Sequence, residues 1–180
     1  MRELPAGDRL GPYEIVAPLG AGAMGVVYRA HDARLGRDVA IKILAGLRDQ
    51  VQLKRFELEA RAAGSLNHPN IVAVHDVGVH ENEPYIVSEL LEGRTLRSLV
   101  ETQRPTCQQA IDYAVQLARG LTAAHDKGVV HRDLKPENLF VTVDGRLKIS
   151  HHRAGRAIQG TCRTGLPRRR WLGAQPPSPG

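Results

Sequence analysis

His131-Arg132-Asp133-Leu134-Lys135-Pro136-Glu137-Asn138 is an eight-residue string on which the organisation of the whole chain turns. It stands between the end of a long helical run and a short hairpin. Upstream, Cys107 to Lys127 reads as a helix, with Thr106 and Gln109 at capping-box spacing and Gly128 just past its end. Leu96 to Thr102 precedes it as a shorter helix. Downstream, Leu139 to Val143 and Arg146 to Ile149 read as two strands joined by Asp144-Gly145, which predicts a type I′ turn.

Further upstream the pattern changes to strands. Tyr13 to Pro18 and Gly25 to Ala30 flank a glycine-rich turn, and Asp38 to Leu44 is a third strand rich in β-branched residues. Leu53, Phe56, Ala60 and Ala63 recur at helical spacing, which predicts a helix over Val51 to Ala63 lying on the sheet. Ile71 to Val77 and Tyr85 to Ser88 supply two more strands, and Glu89 to Gly93 a connector. The order predicts a five-stranded lobe with one helix, then a mainly helical lobe. A cleft between lobes is a favoured ligand site.

Composition narrows the function classes. The chain has 180 residues, 42% apolar and 24% charged, as expected of one soluble domain of ordinary size. Aromatics at 4% are too sparse for a base-stacking platform. The net charge of +6 is confined to the end of the chain. Residues 1–150 hold 19 basic and 19 acidic side chains, whereas residues 151–180 hold six Arg and no acid. The excess therefore describes a tail and no nucleic-acid-binding face of the domain. No apolar run approaches the roughly 18 residues of a membrane span, Ile71-Val72-Ala73-Val74 being typical. The N-terminus has no apolar signal core, and Cys107 and Cys162 show neither metal nor disulfide spacing. The expectation is two free thiols in a reducing cytoplasm.

Gly20-Ala21-Gly22-Ala23-Met24-Gly25-Val26-Val27 fits G-x-G-x-x-G-x-V. A dinucleotide-binding loop would run into a helix after its last glycine, but Val26-Val27-Tyr28 favours a strand, so the loop should cap a hairpin. Glycines let backbone N–H groups approach phosphates without side-chain clash. Lys42, in Val39-Ala40-Ile41-Lys42, follows Gly25 by seventeen residues and can reach phosphate oxygens as a point charge. Glu57 and Glu59 lie on opposite flanks of the next helix's apolar stripe, and periodicity does not choose between them.

With these motifs in this order, the chain resembles the protein kinase superfamily over about Tyr13 to Ser150. Lys135 points to the serine/threonine branch, and the sequence is similar to the eukaryote-type kinases of bacteria. The resemblance implies an α+β, bilobal fold: a small lobe over about 13–88, a connector at 89–93 and an incomplete large lobe over 94–150. Residues 1–12 would be a leader. It also implies ATP and Mg2+ as cofactors and a protein bearing Ser or Thr as substrate. Leu19, Gly20, Gly22, Gly25 and Val27 would cover the ATP phosphates. Lys42 would hold the α- and β-phosphates and pair with a helix glutamate, for which the family pattern favours Glu59. Ala40 would line the adenine pocket, and Glu89 and Leu91 would present backbone groups to the adenine edge. Ser88 falls at the gatekeeper position, where its small size implies an open back pocket. Asp133 would accept the substrate hydroxyl's proton, Lys135 would stabilise the transferring phosphoryl group, and Asn138 would ligate magnesium. His131 would be a packing residue, and Arg132 would meet a phosphorylated activation loop.

Beyond Ser150 the family continues with Asp-Phe-Gly, whereas this chain has His151-His152-Arg153. Imidazoles replace poorly the carboxylate that would be the principal magnesium ligand. Residues 151–180 lack periodicity and are read as a disordered basic tail. A shifted reading frame or truncation and a diverged terminus are both open readings of it. Two functions follow: an ATP-dependent protein serine/threonine kinase, or an inactive kinase fragment that at most binds nucleotide or a partner. The long helix should also leave Ile111, Val115, Ala118 and Leu121 partly exposed.

Overall fold

The computed structural model describes residues 4–22, 25–44 and 50–150. Its first part is an antiparallel sheet of β1 (Arg9–Leu10), β2 (Tyr13–Gly22), β3 (Gly25–Asp32), β4 (Arg37–Leu44), β5 (Val74–His80) and β6 (Glu83–Glu89). The spatial order is β1-β2-β3-β4-β6-β5. Period-two alternation divides the sheet into two buried faces. Tyr28, Ala30, Val39, Ile41, Ile43, Tyr85 and Val87 form one core. On the other face Leu44 and Ile86 pack against Phe56 and Ala60 of helix α1 (Gln50–Gly64), whose apolar stripe is the one read from the sequence.

Several details depart from the sequence reading, among them an unpredicted short strand at Gly93–Thr95. The sheet has a sixth strand, β1, drawn from the segment expected to be a leader. Leu10 is completely buried in the core beside Tyr13 and Ile15. One apolar residue among polar neighbours has no period by which to announce itself. The apolar run from Ile71 is shared between two partners: β5 begins only at Val74, while Ile71 makes a parallel bridge to Ile149. Finally, no type I′ turn joins the last two strands. Gly145 has φ 80°, but Asp144 is not left-handed. Gly145 N donates to Thr142 O (2.9 Å) and Thr142 N to Arg146 O (2.9 Å), which makes a three-residue loop with glycine at its left-handed position.

The second part begins with β7 (Gly93–Thr95) and α2 (Leu96–Thr102). It continues with α3 (Cys107–Asp126), a 3-10 turn at Pro136–Asn138, β8 (Leu139–Thr142) and β9 (Leu147–Ile149). Thr106 and Gln109 form the expected capping box at the start of α3. At its end Gly128 N donates to His125 O (2.8 Å) and Val129 N to Ala124 O (2.9 Å), a Schellman closure that needs the glycine's φ of 72°. Tyr113, Leu117 and Leu121 of α3 pack over Leu139, Leu147 and Ile149. The approach is close enough that a β-carbon at Gly120 would stand 2.7 Å from Ile149 Cδ1. The helix's other flank, with Ile111 56% and Val115 44% exposed, faces outward together with Ala118. Among the described residues no helix is long and apolar enough to cross a membrane.

Candidate active site

The glycine loop caps a hairpin, as its flanking residues require. Gly22 pairs with Gly25 and Gly20 with Val27, with a register shift between Pro18 and Gly20. Ala23 and Met24 lie outside the described residues. Gly25 has φ 132°, and a β-carbon there would run into the Ile43 carbonyl, so only glycine closes this turn without distortion. Leu19 and Leu90 pack against Val27 and Ala40. Leu90 is a residue that the sequence reading missed, because a connector has no periodicity to mark the side chain that turns inward.

Lys42 lies opposite Val27 on one side and Ile86 on the other, and is only 3% exposed. Ala40 and Leu44, two residues either way on β4, share its face. Burying an ammonium in an apolar sheet is costly, so a lysine at this position marks a site where the charge is used. Of the two candidate glutamates, Glu59 joins Phe56, Ala60, Ile86, His131 and Ile149 in lining a cavity of about 100 Å³. Glu57 does not line it. Ser88 is buried between Ala40 and Val74, with its hydroxyl 3.5 Å from Glu89 O. Glu89 ends β6, its N–H donating to Ala73 O (3.0 Å), and half-buried Leu91 follows in the connector.

The string from His131 to Asn138 folds back on itself. Arg132 is left-handed at φ 61°, an uncommon conformation for a side chain of its size, and Asp133 N donates to His131 O (2.9 Å). The tight turn brings three side chains together. Lys135 Nζ donates to both Asp133 carboxylate oxygens, at 2.8 and 2.6 Å. Asn138 Nδ2 donates to Asp133 O (2.7 Å) and to its Oδ2 (3.1 Å). Behind them, Ser150 N and Oγ both donate to Asn138 O at 2.9 Å. His131 Nε2 lies 2.7 Å from Ser150 O, which makes the imidazole a brace between the string and β9.

Asn138 is 1% exposed, yet its Oδ1 has no hydrogen-bond partner. A buried carboxamide oxygen left unpaired is costly unless something accepts its lone pairs. A hard divalent cation fits that oxygen, since magnesium prefers oxygen donors. Among the described residues no cluster of three or more His, Cys, Asp or Glu side chains could hold a metal. His151, His152 and Arg153 lie outside the described residues.

Comparisons with known proteins show the family to which the chain is related. The chain matches the protein kinase domain family over residues 13–162, reaching past Ser150, where the sequence reading ends the resemblance. It is 41% identical over 155 residues to a probable serine/threonine-protein kinase of Streptomyces coelicolor, covering 82% of this chain and 23% of that one. It is 42% identical over 153 residues to the serine/threonine-protein kinase PknB of Mycobacterium leprae, covering 81% of this chain and 25% of that one. It therefore spans about a quarter of the length of these curated relatives. The fold is similar to the crystal structure of the Mycobacterium tuberculosis PknI kinase domain carrying two substitutions, with a TM-score of 0.76 at 28% identity. That likeness covers 85% of this chain and 64% of the other. By motif, fold and relatedness the chain belongs to the protein kinase family, in its eukaryote-type bacterial serine/threonine branch.

Proposed function

We propose that residues 13–150 supply the nucleotide-binding and hydroxyl-activating side of a protein serine/threonine kinase, which moves the γ-phosphoryl group of ATP onto a Ser or Thr hydroxyl of another protein. The observation that carries this reading is the Asp133–Lys135–Asn138 cluster, with its paired carboxylate and its one orphaned buried oxygen. Leu19, Gly20, Gly22, Gly25 and Val27 cover the phosphates through the glycine hairpin. Lys42 holds the α- and β-phosphates, with Glu59 on its flank as its counter-charge. Ala40 and Leu90 close on the adenine ring, and Glu89 O and Leu91 N–H meet its polar edge.

In the transfer, the Asp133 carboxylate takes the proton of the attacking hydroxyl as the new O–P bond forms and ADP leaves with the electrons of the old one. Lys135, already on that carboxylate, offsets the negative charge spread over the γ-phosphoryl oxygens. Asn138 Oδ1 would hold magnesium, which when bound neutralises phosphate charge and orients the phosphates. His151-His152-Arg153 supplies no carboxylate beside it. The absence of that carboxylate should slow the sequence as it stands by about a thousandfold, equivalent to about 4 kcal/mol.

Calorimetric titration with Mg·ATP tests the nucleotide half of the reading. The chain should bind weakly, and Lys42→Met should reduce affinity by about tenfold or more, the loss of one charge-assisted phosphate contact. Micromolar affinity unchanged by Lys42→Met would refute the phosphate-site assignment.

A further inference from the structure

We propose that the Glu89 and Lys148 side chains form a tie between the lobes that fixes the connector against β9, making Lys148 a positioning residue for the nucleotide site. This rests on the reading of the connector as the adenine-facing edge. Glu89 is the last residue of β6, where the chain leaves the small lobe. Its Oε1 accepts from Lys148 Nζ at 2.6 Å and from Ala73 N at 2.8 Å. Its own N–H donates to Ala73 O at 3.0 Å, so Glu89 and Ala73 close a two-bond ring that the lysine then seals.

Lys148 is placed for this by strand alternation. Leu147 and Ile149 turn into the apolar cluster under α3, which sends Lys148 to the opposite side of β9, toward the connector. The lysine and glutamate side chains are 13% and 25% exposed, whereas Arg97 and Glu101 in an ordinary helix-surface pair are 57% and 58% exposed. Solvent screens an ion pair so covered far less than a surface one. Breaking it by removing one partner leaves the other charge half-buried and unmatched.

The tie lies where movement would matter. β9 is also held to the segment after α1: Val72 N donates to Ile149 O (2.9 Å), Ile149 N to Asn70 O (2.9 Å), and Asn70 Nδ2 to Leu147 O (2.8 Å). Two residues beyond Lys148, Ser150 meets Asn138 and His131. One ion pair thus links the connector to the strand that braces the Asp133–Asn138 cluster. When the tie is intact, the groups facing adenine and the groups facing the hydroxyl keep a fixed separation. Preorganisation of this kind raises affinity by lowering the cost of ordering on binding.

The test is amide hydrogen exchange on the nucleotide-free 180-residue chain, for the wild type and for Lys148→Met, Glu89→Gln and Lys148→Arg. Circular dichroism checks that each variant is folded. Lys148→Met and Glu89→Gln should each speed exchange at the Ala73 and Glu89 amides by about tenfold, leaving β2, β3 and α2 unchanged, while Lys148→Arg stays near wild type. ADP affinity should fall about threefold to tenfold in Lys148→Met, with no further loss when Glu89→Gln is combined with it. Unchanged exchange at Ala73 and Glu89, or equal acceleration across the whole chain, overturns the tie. Accelerated exchange with unchanged ADP affinity overturns the positioning role. A wild type that binds no nucleotide refutes the proposed function instead, and the exchange data still decide whether the tie exists.

Discussion

Lys135 Nζ sits astride the Asp133 carboxylate, 2.6 Å from Oδ2 and 2.8 Å from Oδ1, while Asn138 Nδ2 holds Oδ2 from the other side at 3.1 Å. One of the two carboxylate oxygens is therefore fixed by two donors. Both charged side chains are 24% exposed, so the pair is open enough to meet a hydroxyl and covered enough to feel little salt. Lys135→Met should lower phosphoryl transfer by about a hundredfold, the typical loss when one donor to developing charge is removed. ADP affinity should stay within about twofold, since the lysine acts on the transferring group. Comparing kcat with nucleotide affinity separates the two effects.

The glycine hairpin depends on backbone geometry as much as on its ligand. Gly25→Ala should destabilise the small lobe by about 1–3 kcal/mol, because the left-handed backbone and the Ile43 carbonyl both reject a side chain. Urea denaturation would show a lower midpoint at unchanged slope. Gly36→Ala is the control for backbone strain alone. It has φ 61°, but a β-carbon there meets nothing within 4 Å, so its loss should be smaller.

Acid should weaken the small lobe through two aspartates. The Arg34 guanidinium bonded to Asp32 holds that carboxyl below its usual value, and His31 and then Arg29 do the same for Asp38. Both groups bind protons more readily in the unfolded chain. Their stabilisation is present above the ordinary carboxylate value of about 4 and is lost as pH falls through the depressed folded values. Thermal melts should fall between about pH 5 and pH 3, and Arg34→Met should reduce that fall. At the alkaline end, burial and then the hydrogen bond to Asp76 push Tyr13 up to about 12. Stability should therefore decline from about pH 10 upward, where the unfolded tyrosine ionises first, and Tyr13→Phe should reduce that decline, the remainder coming from Tyr85, which burial also pushes up.

The outward flank of α3 should make the protein self-associate. Ile111 and Val115 lie four residues apart on the same exposed face. Replacing them as Ile111→Glu and Val115→Lys keeps helix propensity and removes the apolar patch. Light scattering at increasing concentration should show less association in the double variant, with an unchanged helical signal.

Much of the fold and site is local in origin and so is legible in the residues. The glycine hairpin, the capped helix α3 and the turn that gathers Asp133, Lys135 and Asn138 each follow from neighbours within a few positions. What escaped the sequence depends on partners far along the chain. Leu10 becomes a strand residue only because β2 lies beside it, and Ile71 leaves β5 only because β9 offers it a backbone partner. Asn70, buried between Gln116 and Leu147, and Lys148, paired with Glu89 from 59 positions earlier, carry no signal in their immediate neighbours. The Asp144-Gly145 turn took a different form from the one its dipeptide favours. Thr142 closes it through its backbone and also through its hydroxyl, which bonds Asp144 and Arg146.

The most direct measurement is transfer of labelled γ-phosphate from Mg·ATP to serine- and threonine-containing protein. It compares this chain with a triple variant, His151→Asp, His152→Phe and Arg153→Gly, each with and without Asp133→Asn. The triple variant should transfer phosphate to Ser and Thr, in a magnesium-dependent reaction, faster than the unaltered chain by up to about a thousandfold. Asp133→Asn should abolish the reaction in both backgrounds. Transfer by either chain that survives Asp133→Asn would contradict the assignment of Asp133, Lys135 and Asn138 as the phosphoryl-transfer site.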